Sequence, residues 1–430
     1  MRYSAYQDYR PSGAEWLGHI PKHWKLAKLR FLLCEKFSNG LFKKSEFWGD
    51  GTRIINVADL YLSNDLVNET SLERLECSDD EVKLYAAKHG DFFVVRSSLK
   101  LEGIGKSAAL LNPTEETVFE CHIVRGRPNL DEVHPRFLNL FMNSADARYY
   151  FMTRSNVVTM ATIDQERIKN LVVAFPDYPE QQQIAAFLDW KTGQIDALIA
   201  RKQELLEKLK EKRIAVITQA VTKGLNPAAP MRDSGIPWLG QVPQHWIVKR
   251  LRYCAGLVTS GSRGWAQYFS DFGALFLRIT NLDRESIELL LEDIQRVEPP
   301  EGAEGARTLT GPGDLLISIT ADLGSVAVIP PDLEPAYVSQ HLSLVRLDTP
   351  NIDPSWIAYS IFSHSGKYQL RMAGYGGTKV QLSLSDIKEV VFCHPPSLME
   401  QQNILDFIRK ETERTEGLIK LVSQAIGQLT

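Results

Sequence analysis

Cysteine is scarce in this chain. Its five residues, Cys34, Cys77, Cys121, Cys254 and Cys393, are scattered among 430 without metal-ligand spacing, which fits a reduced cytoplasm and thiols that are simply buried. Long apolar runs are missing too. No stretch approaches the roughly 20 residues that a membrane span requires, and residues 1–10 are polar and aromatic, unlike a signal peptide. Nor is there an excess of positive charge, since Lys and Arg number 49 against 53 Asp and Glu. The net charge of −4 argues against a uniformly basic protein, yet a local basic face on an acidic chain still suffices for nucleic acid.

Catalytic signatures are equally absent. Gly103-Ile104-Gly105-Lys106-Ser107 contains a GKS triplet, but Lys100 stands where a phosphate loop needs its leading glycine. No N-P-P or D-P-P stretch of an amino-methyltransferase appears, and Asn226-Pro227-Ala228-Ala229 falls short of one. H-E-x-x-H, Cys/His clusters and nucleophile elbows are missing as well. The chain is therefore expected to be no enzyme by itself, with no catalytic residue, no metal site and no cofactor of its own.

What is present is a tandem duplication. Residues 12–30 read SGAEWLGHIPKHWKLAKLR and residues 234–252 read SGIPWLGQVPQHWIVKRLR, aligning Trp16 with Trp238, His23 with His245, and Trp24 with Trp246. The echo continues in order: Arg53-Ile54-Ile55-Asn56 with Arg278-Ile279-Thr280-Asn281, Gly90-Asp91 with Gly313-Asp314, and Glu180-Gln181-Gln182 with Glu400-Gln401-Gln402. A unit this long exceeds a solenoid repeat, so each copy is a domain-sized half. At 44% hydrophobic and 24% charged, the chain has the composition of globular domains.

Each half reads as mixed α and β. Residues 92–95, 171–173, 315–319 and 325–329 are short β-branched or aromatic runs bounded by Gly, Asp or Pro, the pattern of buried strands. Residues 135–150 and 354–370 are short helical pieces. From Glu180 to about Gly224 the period changes: Ile184, Leu188, Ile195, Leu198, Leu205 and Leu209 fall at a and d spacing, and Ile404, Ile408, Leu418 and Val422 repeat the register. Two long amphipathic helices are predicted to pair as a spacer; the competing arrangement packs each on its own domain. The resulting division is 1–178 and 226–398 for the globular domains, with 179–225 and 399–430 for the helices.

The paired WLG-x-[IV]-P-x-HW motifs, the E-Q-Q-x-I helix starts and the order domain, helix, domain, helix resemble the specificity subunit of type I restriction-modification systems over essentially the whole chain. The resemblance implies an α+β fold with two target recognition domains, separated by long conserved helices that pair as an antiparallel coiled coil, with internal pseudo-twofold symmetry. It implies a cytoplasmic, membrane-free partner of double-stranded DNA whose two domains each read one half of an asymmetric bipartite site. It further implies two methyltransferase subunits, which would use S-adenosylmethionine, and a motor-nuclease subunit. A duplicated protein-binding scaffold is the alternative.

Candidates for DNA contact are the basic residues Lys43, Lys44, Arg53, Lys100, Lys106, Arg125 and Arg127 in the first half. In the second they are Arg263, Arg278, and Tyr375, Thr378 and Lys379 of a glycine-rich loop. Arg53 and Arg278 stand at equivalent places, which favours phosphate contact or fold support over base reading. The most divergent segments, 40–51 and 261–273, are natural seats of half-site specificity. Trp16, Trp24, Trp238 and Trp246 repeat in both halves and so point to domain packing or to one partner met twice.

Overall fold

The computed structural model describes residues 5–61, 65–261, 263–299, 302–375 and 380–429, which form two compact units, Met1–Ala197 and Leu198–Thr430. Both follow one α+β plan. The first has a four-stranded antiparallel sheet in the order Ser38–Asn39, Ile123–Gly126, Phe92–Val95, Ser107–Ala109. The second repeats it with Ala255–Ser260, Leu342–Leu347, Leu315–Ser318 and Val326–Val328. In each, a further sheet contains one parallel pair: Thr117–Phe119 beside Trp48–Ile55, and Ala336–Val338 beside Ala274–Leu277.

The near-continuous apolar strands follow from this layering. Successive side chains of a strand point to opposite faces, so Phe92 and Val94 enter one core with Phe137 and Leu138, whereas Phe93 and Val95 enter another with Ile55 and Phe119. The second unit divides Leu315 and Ile317 from Leu316 in the same way.

Each short helical piece proves to be two helices: α1 (Pro135–Met142) and α2 (Ala145–Thr153) in the first unit. The break has a local cause. Asn143 turns its amide to the Ser107 carbonyl at 2.7 Å, and Ser144 caps the next helix by accepting from the Ala147 amide. The long helix α3 runs Tyr178–Lys223, 46 residues or about 69 Å at 1.5 Å per residue. It ends where Gly224 adopts a left-handed φ of 71°. In the second unit, α4 (Pro354–Phe362) and α5 (His364–Ala373) flank a break capped by Ser363, and α6 (Leu398–Gly427) closes the chain.

The apolar stripe of the long helices has two destinations. Ile184 and Ala185 at the start of α3 pack into the first core, and Ile404, Leu405 and Ile408 at the start of α6 into the second. Further along, Leu188, Ile195, Leu209 and Val422 are half-buried, while Leu198, Leu205 and Leu418 are exposed. Within the second unit, the last turns of α3 and the body of α6 run antiparallel: Arg213 pairs with Glu416 at 3.7 Å, and Val221 accepts from the Cys393 thiol, just before α6, at 3.3 Å. Ile217, Ala220 and Val221 share one core with Ile404 and Ile408. Among the described residues, no helix is long and apolar enough to cross a membrane.

Candidate nucleic-acid interface

The repeated tryptophan and histidine close a clamp on the first turn of each long helix. Trp24 Nε1 donates to Glu180 at 3.2 Å and His23 Nε2 lies 2.9 Å from it; Trp246 Nε1 donates to Glu400 at 3.0 Å and His245 Nε2 lies 3.1 Å from it. The following glutamine completes the joint. Gln181 accepts from the His134 amide and Gln401 from the Asp353 amide, while each side-chain amide donates to a buried carbonyl, Pro176 or Pro395. In the first unit Tyr6 adds a hydrogen bond to Glu180 at 2.7 Å, and burial together with that carboxylate pushes its hydroxyl up to about 12. Burial works against the Glu180 carboxylate, but hydrogen bonds from Tyr6, His23 and Trp24 outweigh it and hold the carboxyl below its ordinary range. Trp16 packs against Tyr150 at 5.1 Å between ring centres, and Trp238, half-exposed, against Tyr368 at 6.3 Å.

The same backbone bonds build a cleft in each unit. The Arg96 amide donates to His122 and the Ile163 amide to Arg96; in the second unit Ile319 donates to His341 and Leu382 to Ile319. A glycine allows the neighbouring loop to approach. A β-carbon on Gly40 would fall 2.1 Å from the Glu120 carbonyl oxygen, and one on Gly261 1.9 Å from that of Val338, so no other residue fits without displacement.

The linings differ. The first cleft, of about 660 Å³, is faced by Val57, Tyr61, Leu99 and Met160, with Lys100 and His122 beside them. The second, of about 440 Å³, is faced by Arg263, Thr320, Gln340, His341, Tyr375 and Gln381. Thr320 and His341 are linked at 3.0 Å.

Most of the predicted cations are turned into the fold. Lys43 reaches Glu81 at 2.8 Å; Arg53 bonds Glu115 at 2.8 Å and Thr114 at 3.2 Å; Lys106 pairs with Asp65. Arg125, buried, donates to the Ala86 carbonyl at 2.6 Å, and burial lowers its pKa. Arg127 bonds Asp91 at 2.7 Å and Glu35 at 2.6 Å, contacts that raise its pKa. Arg278 meets Asp293 at 3.1 Å. Among the described residues, Lys44, Lys100 and Arg263 are exposed candidates without an ion pair, and Tyr375 is half-exposed at the second cleft. Thr378 and Lys379 lie outside the described residues.

Sequence reasoning missed Leu99, Met160, Gln340 and Gln381. The repeated His122 and His341, in CHI and QHL, were the available signal. It also found no metal-ligand spacing, whereas the fold gathers donor atoms of Glu120, Cys121 and His122 within 4.8 Å of one another. Glu120 already accepts from the Val57 amide at 2.8 Å, and the equivalent second-half residues are Ser339, Gln340 and His341, so a three-donor group is no shared feature of the halves.

Comparison with known proteins agrees with this architecture. The family model of the type I restriction modification DNA specificity domain matches residues 21–211. The chain is similar to a relative named for the type I restriction enzyme MjaX specificity subunit of Methanocaldococcus jannaschii, 22% identical over 425 residues, or 94% of this chain and 93% of that one. It is similar to the type I restriction enzyme EcoKI specificity subunit of Escherichia coli, 24% identical over 223 residues, or 50% of this chain and 47% of that one. Its fold matches a chain of a solved type I R-M system with a TM-score of 0.67 at 14% identity over 95% of both chains. It also matches the HsdS subunit from Thermoanaerobacter tengcongensis, with a TM-score of 0.56 at 14% identity over 95% of this chain and 94% of that one. Residues 21–211 thus match a type I restriction modification DNA specificity domain, and over nearly its full length the chain is similar to type I restriction enzyme specificity subunits.

Proposed function

We propose that this chain is the non-catalytic, DNA-reading subunit of a type I restriction-modification complex in the cytoplasm. Residues 1–178 read one part of an asymmetric bipartite site and residues 226–398 the other. The helical segments 179–225 and 399–430 set the unread gap and, with their flanks, dock two methyltransferase subunits. Those partners bind S-adenosylmethionine and carry out methylation of the DNA, and a motor-nuclease subunit completes the restricting assembly.

One observation carries this reading. A cleft stands beside the repeated histidine in each unit, His122 or His341, and the two linings differ in chemistry. A protein that binds one partner twice has reason to keep both surfaces alike, whereas one that reads two different sequences must vary them. Exposed Lys44, Lys100 and Arg263 supply phosphate or base contacts. With a net charge of −4, the chain gains tight DNA affinity only together with its partners.

The test is methylation mapping of genomic DNA from cells that carry this chain with its cognate methyltransferase, against cells that lack the chain. A chain-dependent two-part motif with a fixed gap is expected. No new motif, with the methyltransferase intact and bound, would favour a protein-binding scaffold. Removing whole turns within 202–214 should change the gap and leave both half-sites as they are.

A further inference from the structure

The two copies diverge where the loop leaves the pinned glycine. Gly40 is followed by Leu41 and Phe42, and Gly261 by Ser262 and Arg263. Leu41 enters a small core with Ile54, Leu75 and Val118, whereas in the second unit Trp265 fills that place with Phe276 and Val297, so exposed Arg263 stands between the glycine and the core residue, where the first unit has no residue. Residues shared by the halves serve the framework, as the helix clamps do; a guanidinium carried where the other half has no residue does not.

On either side of Arg263, Gly261 lies against the Val338 and Ser339 carbonyls and Trp265, 3% exposed, stacks on Phe276 at 5.9 Å. Gly264 makes the tight turn between them with a φ of 74°. The guanidinium has no carboxylate partner among the described residues, whereas nearby Arg307 is spent on Thr259 and on the Ser260 carbonyl. Across the cleft stands Gln381, exposed, its backbone bridged to Thr320 and Tyr375. An arginine fork matches the O6 and N7 acceptors of guanine in the major groove, and glutamine matches the N6 and N7 edge of adenine.

We propose that Arg263 determines a guanine in the half-site read by residues 226–398, donating from its guanidinium to O6 and N7. The proposal rests on the DNA-specificity reading above. A phosphate grip would be useful to both halves; an arginine carried where the first half has no residue marks a reader of sequence.

The experiment maps the methylated motif for the wild-type chain, Arg263→Ala, Arg263→Lys and Phe42→Ala, each with the intact cognate methyltransferase. Arg263→Ala is expected to relax one position, a guanine in the wild-type motif, with discrimination falling roughly ten- to hundredfold there and the other part unchanged. Arg263→Lys should retain part of that preference, and any effect of Phe42→Ala should be confined to the other part. An unchanged motif methylated uniformly less, with a shallower salt dependence of DNA binding, would make Arg263 a phosphate contact and overturn the proposal. Relaxation at a position other than guanine would overturn it as well. A wild-type chain with no chain-dependent two-part motif would instead defeat the DNA-specificity reading itself.

Discussion

In the first unit Arg127 meets Asp91 at 2.7 Å, and in the second Arg346 meets Asp314 at 2.6 Å; both aspartates precede the central strand. Trp24 and Trp246 each donate to the glutamate opening a long helix. At the clefts the shared residue is the histidine, His122 or His341, and the rest diverges, with Leu99 and Met160 in one lining and Gln340 and Gln381 in the other. A feature present in both units, however basic or aromatic, is explained by the framework it supports. Features unique to one unit are the ones left for recognition.

Several substitutions can break or sharpen that contrast. The largest effect should come from Arg127→Ala, which leaves Asp91 fully buried without its cation at a cost of about 3–5 kcal/mol. Arg346→Ala should cost less, because Arg346 is 45% exposed and water can reach the site; equal losses in chemical denaturation would refute this asymmetry. Next comes Trp246→Ala, expected to cost about 3 kcal/mol because the ring is 2% exposed and packs with Trp356 at 5.4 Å. The same change at half-buried Trp24 should cost clearly less in the same assay. Glu180→Gln and Glu400→Gln should each cost about 1 kcal/mol, as hydrogen bonds to a charged acceptor become neutral ones. Their matched effects would identify the clamps as one device used twice.

Acid gives a finer test. Hydrogen bonding holds the Glu180 carboxyl below its unfolded value, so its stabilisation is fully present above the ordinary carboxylate range and is lost as pH falls through the lowered folded value. Trp24 fluorescence should therefore report loosening of the first clamp only below about pH 4. Loosening near neutrality would contradict the assignment.

Much of the framework was legible because it is local and repeated. Buried strands such as Phe92–Val95 announce themselves by uninterrupted β-branched and aromatic residues, and α3 by its length, period and terminal Gly224. The break between α1 and α2 was hidden because it depends on Asn143 reaching a strand remote in sequence. The helix stripe was only partly readable, since period reveals that Ile184 and Ile404 are covered but not that their own domains cover them. The cations were the least legible. Whether Arg125 faces DNA or the Ala86 carbonyl is decided by tertiary neighbours, and composition weighs both alike. The clefts draw on loops far apart in the chain, such as residues 97–103 and Met160, so no single motif marks them.

The most direct test of a shared framework with separate reading surfaces is to make the surfaces equal. A chain in which residues 33–163 replace residues 255–382 keeps both helix clamps and carries the first cleft twice. With the cognate methyltransferase, methylation mapping should return a motif whose two parts are one and the same half-site sequence. An asymmetric motif identical to that of the wild type, from a chain shown to be folded and bound to its methyltransferase, would contradict the account.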